Sequence, residues 1–267
     1  MSKILNLKQV QEKETAMLRC IDKICVKNNL RYYLVCGSVL GAVRHKGPIP
    51  WDYDVDITVP FPELSYFCEI MEKELSGTQY RIVMPGNMQE KDNITTFPRI
   101  TLKGINPRKI HIDVFPQIGI TSDREEQVRF TEQLTKTKTL YRDKRIAYTN
   151  TGEWWKRLAK LTIMRFKLRN VDAEEKLEEF NVLCRKYPYE EAEFVTNPCG
   201  HYGIKNIVPK SYFGTPKRVP YLDMMLPVPE RTEEYLVHYY KDYMKYPPQN
   251  EINKMMAYTV VLEDDYI

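Results

Sequence analysis

The sequence predicts an α/β protein of the α+β kind, with a small mixed sheet in its first half and a helical, loop-rich second half. Three observations predict it. Short β-branched and aromatic runs recur between residues 31 and 115. The apolar residues of 6–27 and 62–75 fall at helical spacing. From Asp123 onward, long helical patterns take over. At 267 residues and 43% hydrophobic, the chain can bury a substantial core without disulfide staples. It divides into a core over 1–120 and a helical, loop-rich part over 121–267 that completes the functional site, the two forming one compact unit.

The elements follow in order. Leu7, Val10, Met17, Leu18, Ile21 and Cys25 line one helix face over 6–27, and Asn28-Asn29 ends it. "RYYLVC" (31–36) reads as a strand, and Gly37-Ser38 turns the chain into the short segment "VLGAV". "GPIP" (47–50) is a breaker. "YDVDITV" (53–59) alternates as a strand, and a helix follows over 62–75. Strands are expected at 80–84, 96–102 and 109–115, and helices at 124–141, 153–169 and 173–187. Residues 188–231 show no period, and a last helix over 232–244 is stopped by Pro247-Pro248.

Several classes are disfavoured. A net charge of +4 is too mild to point to nucleic acid. No run approaches the ~18 apolar residues of a membrane span, and "MSKILNLKQVQEKE" has no signal-peptide core. The six cysteines are scattered and lack a paired C-x-x-C, which argues against a zinc cluster of Cys184, Cys199 and His201. Their apolar contexts suit a reducing cytoplasm.

The chemistry concentrates in "CGSVLGAVRHKGPIPWDYDVDITVP" (36–60). On a strand, Asp54 and Asp56 project from one face while Val55 and Ile57 point into the core. Two half-buried carboxylates repel unless they share a proton or hold a cation, and a divalent metal resolves the repulsion. Solvated charges at a strand edge would give the same pattern. Asp113, set between Ile112 and Val114 in a second strand, favours the metal reading. Gly37-Ser38, between a strand and a helix, offers backbone N–H groups and a hydroxyl suited to phosphate. Asp52 reads as a turn residue or a partner behind the metal ligands, and Lys46 as a solvated charge.

This combination resembles the nucleotidyltransferase fold. More specifically, "CGSVLGAVRHKGPIPWDYDVDI", with "HIDVFPQ" (111–117) and "YYKDYMKYPP" (239–248), resembles the LicD family of phosphotransferases. Its bacterial members move phosphocholine from CDP-choline to cell-surface glycans, and fukutin-related proteins move ribitol phosphate. The resemblance implies a nucleotidyltransferase-like core with Asp54, Asp56 and Asp113 as catalytic residues and ligands of Mg²⁺ (or Mn²⁺). Asp113 would be the third ligand or the general base. Gly37 and Ser38 would hold phosphate, with Arg44, His45 and Arg99 as further phosphate contacts. Trp51 and Tyr53 are candidates for a choline cage. The expected reaction moves phosphocholine from CDP-choline to a hydroxyl of a glycan precursor of teichoic acid or lipopolysaccharide type, free or lipid-linked, with release of CMP. Alternatives are another CDP-linked alcohol phosphate, nucleotidyl transfer to a sugar phosphate, or a non-catalytic ligand-binding homologue. The chain departs from the family at Tyr53, where an aspartate is usual, at Lys241, where a glycine is usual, and in lacking a C-terminal histidine.

One motif lies outside this set. "EWWKRLAKLTIMRFKLRN" (153–170) is basic and amphipathic, with Arg165 and Arg169 intruding on the apolar arc. Two expectations compete: a helix in an anionic membrane interface, making the enzyme peripheral at the inner face, and a helix whose tryptophans pack on the core.

Overall fold

A computed structural model describes residues 3–87, 93–146, 162 and 164–262. Its centre is a seven-stranded sheet whose main path runs β2 (Tyr33–Leu34), β3 (Val55–Pro60), β6 (His111–Ile120), β5 (Arg99–Leu102), β4 (Tyr80–Val83). Only β3 and β6 are parallel within that path; the other pairs are antiparallel. The far end of β6 also pairs with β7 (Phe194–Thr196), which pairs with β8 (Val208–Pro209). Both halves of the chain thus contribute strands to one sheet.

The β3–β6 pair is the core. Ile57, Val59, Ile112 and Val114 have no exposed surface, as expected of strands covered on both faces. Helix α1 (Leu7–Lys27) packs on β6, and α3 (Phe61–Leu75) packs on both β3 and β6. A capping box starts α1: Asn6 accepts from the Gln9 N–H and the Gln9 side chain accepts from the Asn6 N–H. Helix α4 (Arg124–Ile146) packs on α5 (Ala173–Cys184), whose N-cap Asp172 accepts from Glu175 N–H.

Several expected elements differ in extent. The strand expected at 31–36 is limited to Tyr33–Leu34 because Cys36 takes a positive φ of 52° and opens helix α2 (Cys36–Leu40). Gly37 and Ser38 are therefore inside that helix, which runs on as a π-helical turn over Gly41–His45. The strand expected at 109–115 extends through Pro116 to Ile120. The aperiodic stretch contains β7, β8 and a hairpin of β9 (Lys217–Tyr221) and β10 (Met224–Val228). The last expected helix, α6 (Thr232–Tyr240), stops before the prolines, at Lys241 with φ 59° and ψ −107°. Helix α7 (Gln249–Met256) and the pairing of β1 (Lys3–Asn6) with β11 (Thr259–Leu262) have no counterpart among the expected elements.

Most of the 153–170 motif lies outside the described residues. In its described end, the buried Leu168 accepts from Lys144 Nζ at 3.0 Å, and Phe166 is exposed with the Arg169 guanidinium 4.7 Å from its ring centre. All six cysteines are free thiols, and among the described residues no helix is long and apolar enough to cross a membrane.

Candidate active site

The β3–β6 register puts Asp56 directly beside Asp113, and the β5–β6 register puts Arg99 on the other side of Asp113. Three charged side chains therefore stand in one row across three strands. Asp54 precedes β3 by one residue. The turn that enters α2 supports this row from above. Ser38 Oγ accepts from the Asp56 N–H at 2.9 Å, and Val35 N–H donates to the Asp56 carbonyl at 3.1 Å. Ser38 is buried, so its hydroxyl fixes the aspartate strand. The strained Cys36 is held by its own N–H, which donates to the hydroxyl of the fully buried Tyr235 at 3.0 Å. At Gly37 a Cβ would come within 2.6 Å of Asp52 Oδ2, so glycine is what lets that carboxylate approach the turn.

A cavity of about 510 Å³ opens over this region. Gly37, Arg44, Trp51, Asp52, Asp54 and Asp56 form one side; Asn197, His201, Tyr202, Tyr240, Asp242, Tyr243 and Lys245 come from the second half of the chain. Asp52, read from the sequence as a turn or supporting residue, is in the cavity wall and shares a hydrogen bond with Asp54. Burial raises the Asp54 carboxyl to about 8, with the charge and hydrogen bond of Asp52 and the charge of Asp113 adding to it. Burial, then the charges of Asp54 and Asp113, pushes Asp56 far above the usual carboxylate range. Beneath them, burial and the charges of Asp54, Asp52 and Asp56 raise Glu14 in the same direction.

Asp113 is in a different environment. Arg99 Nε donates to its Oδ1 at 2.6 Å, while Nη2 reaches Oδ2 only at 3.4 Å. His111 Nε2 is 3.4 Å from the same Oδ1. Burial lowers His111 to about 4, so near neutral pH its imidazole is uncharged and Arg99 alone offsets the Asp113 charge. Arg99, a phosphate candidate from the sequence, is here the partner of Asp113.

Arg44 and His45 are on the π-helical turn. Arg44 Nη1 donates to the carbonyls of Tyr243 (2.8 Å) and Lys245 (3.2 Å), and its Nε donates to His45 Nε2 at 2.9 Å. Its guanidinium stands 4.8 Å from the Tyr246 ring centre and 5.7 Å from that of Trp51. The cation thus ties the 241–248 loop to the aspartate motif. Trp51 lines the cavity with Arg44 already over its ring, and Tyr53 stacks on Tyr258 at 4.2 Å without lining the cavity.

The donor set partly fits a hard divalent cation. Asp54 and Asp56 are crowded oxygen ligands whose repulsion a cation would relieve. Asp113 is turned to Arg99, and among the described residues no group of three His, Cys, Asp or Glu side chains converges as a metal site. The tyrosines of the cavity and Asp242 were not singled out from the sequence. They follow aperiodic or loop stretches, and only the likeness of "YYKDYMKYPP" to its family marked that region.

A sheet that aligns an Asp-x-Asp strand with a third aspartate on its parallel neighbour, under a Gly-Ser turn entering a helix, is the arrangement expected from the resemblance to phosphotransferases of nucleotidyltransferase type. Residues 29–146 match the family described as LicD/FKTN/FKRP, nucleotidyltransferase domain. Over these residues the chain is similar to that family. It is 23% identical over 255 residues to the lipopolysaccharide cholinephosphotransferase LicD of Haemophilus influenzae, covering 91% of this chain and 94% of that protein. The ribitol 5-phosphate transferase FKRP of Mus musculus and that of Homo sapiens are each 38% identical over 66 residues, covering 25% of this chain and 13% of theirs.

Proposed function

We propose that this protein transfers phosphocholine from CDP-choline to a hydroxyl of a cell-surface glycan precursor, of lipopolysaccharide or teichoic acid type, and releases CMP. The observation that carries the reading is the end-to-end likeness to a lipopolysaccharide cholinephosphotransferase, whose matching span includes the aspartate row and the cavity wall. Asp54 and Asp56 would hold Mg²⁺ or Mn²⁺, which would neutralise charge on the donor diphosphate.

The chain's own groups do the rest. The acceptor hydroxyl loses its proton to Asp113 Oδ2, the oxygen that Arg99 holds least closely. The acceptor oxygen forms its bond to the phosphorus bearing choline. The bond from that phosphorus to the CMP oxygen breaks, and CMP leaves with the electron pair. Arg99 keeps Asp113 aligned in the row, and Ser38 keeps Asp56 there. Gly37, whose backbone lines the cavity, would contact the donor phosphate.

A second reading, transfer of a ribitol or glycerol phosphate, is favoured by the 38% identity to the two ribitol 5-phosphate transferases across a motif-length segment. Incubation with CDP-choline, CDP-ribitol and CDP-glycerol, with Mg²⁺ and with CMP as the readout, separates the two. Phosphocholine transfer predicts fastest CMP release from CDP-choline. Faster release from CDP-ribitol or CDP-glycerol establishes the second reading instead.

A further inference from the structure

The aromatic residues around the aspartates divide into three groups. Trp51 and Tyr246 flank the Arg44 guanidinium, and Tyr53 is stacked on Tyr258. Tyr235 and Tyr239 are buried and pack on one another with ring centres 4.8 Å apart. Tyr202 and Tyr240 each have the Tyr239 ring beside them, at 6.1 and 6.3 Å between centres, and together with Tyr243 they line the cavity that contains Asp52, Asp54 and Asp56. Tyr202 is 52% exposed. Lys205 Nζ stands 5.6 Å from its ring centre and donates to the Tyr239 carbonyl. Burial first, and then neighbouring groups that include Asp52 and Asp56, raise the hydroxyls of Tyr202 and Tyr240 above the ordinary tyrosine value.

We propose that Tyr202, Tyr240 and Tyr243 form the wall that receives the trimethylammonium end of the donor. This rests on the CDP-choline reading above and gives that reading a specificity determinant. A quaternary ammonium has no N–H to donate, so a protein recognises it through aromatic faces and negative potential. Both are present: three tyrosine rings, and the Asp242 carboxylate on the same wall. Arg44 and Lys245 also line the cavity and carry the opposite charge, which suits the donor's diphosphate. A primary ammonium is smaller and more strongly hydrated, and the wall would hold it less well.

The test compares kcat/KM for CDP-choline and CDP-ethanolamine in the wild type and in Tyr240→Leu and Tyr243→Leu, together with inhibition by CMP. The wall predicts a wild-type preference for CDP-choline that falls about tenfold in each leucine variant, with CMP inhibition unchanged and Tyr→Phe variants retaining the preference. An unchanged preference overturns the proposal. So does a parallel loss of CMP inhibition, which would assign the rings to stacking on cytosine. If the leucine variants do not fold, Tyr243→Trp decides: the stronger cation acceptor raises the preference, and no rise overturns the wall. A wild type that releases CMP from other CDP-alcohols but not from CDP-choline overturns the proposed function and the wall together. A wild type active on CDP-choline with indifferent variants overturns the wall alone.

Discussion

Asp56 and Asp113 stand side by side in the sheet and differ in what balances their charge. Asp113 has Arg99; Asp56 has neighbouring carboxylates. This sets a pH dependence with a definite sign. A carboxyl whose folded pKa is raised binds more protons in the folded state than in the unfolded state, so stability falls as pH rises toward the folded value. Asp54, raised to about 8, and Asp56, raised in the same direction, both contribute this way. His111, lowered to about 4, acts oppositely, but only below its unfolded value near 6.5, above which it is neutral in both states. Between pH 6.5 and 8 the aspartates are left to act. In EDTA the Tm should therefore drop across this window, and Mg²⁺ should restore more stability at pH 8 than at 6.5. A Tm that rises with pH in EDTA would show that these carboxylates are not held against their own charge. The two strand aspartates could be read from Asp-x-Asp spacing and the likeness to a known family. The Arg99 partnership could not, because it depends on which strand pairs with which.

At the scale of elements, the Gly-Ser turn was legible as a change of direction, but its geometry was not. Nothing in "YLVCGS" announces that Cys36 adopts a positive φ or that Ser38 is inside a helix supporting Asp56. The same applies to α6, whose end was assigned to the prolines. It ends at Lys241, where φ 59° and ψ −107° define a backbone that glycine adopts most readily. The chain has lysine where the family it resembles usually has glycine, so this position carries strain just before Asp242 and Tyr243 of the cavity wall. Lys241→Gly should stabilise the protein by about 1 kcal/mol, the relief of strain exceeding the added chain entropy. Urea unfolding measures it, and an unchanged or lower midpoint would show that the lysine is accommodated without strain. The arginine tie from the π-helical turn to the 241–248 loop is a further feature that local patterning does not encode, since its acceptors are backbone carbonyls about 200 residues away.

Across the whole molecule, the mixed sheet and flanking helices were legible from periodicity. That the halves form one unit was expected, but the strands that join them were not: β7 and β8 are three and two residues long, too short to leave a period, yet they extend the sheet and lead into the 197–202 side of the cavity. The basic motif at 153–170 remains a proposed contact with an anionic inner membrane face. Its described end is mixed, with Leu168 buried and Phe166 exposed. Each basic residue near such a surface contributes about 1 kcal/mol, so binding should be reversible and salt-sensitive. Wild-type protein should float with anionic vesicles at low salt and be released at high salt, and Lys156/Arg157/Lys160→Glu should float less. Failure of the wild type to float would identify the motif as a packing element.

The most direct measurement of the proposed chemistry is Mg²⁺-dependent CMP release from CDP-choline by the wild type, Asp54→Asn and Asp56→Asn, with thermal unfolding recorded on the same samples. Phosphotransfer at the aspartate row requires release by the wild type that stops in EDTA. It also requires loss of release in both variants, with a Tm in EDTA equal to or above that of the wild type in EDTA because a repelling charge has been removed. Full release by either folded variant in the presence of Mg²⁺ would contradict the assignment of the active site.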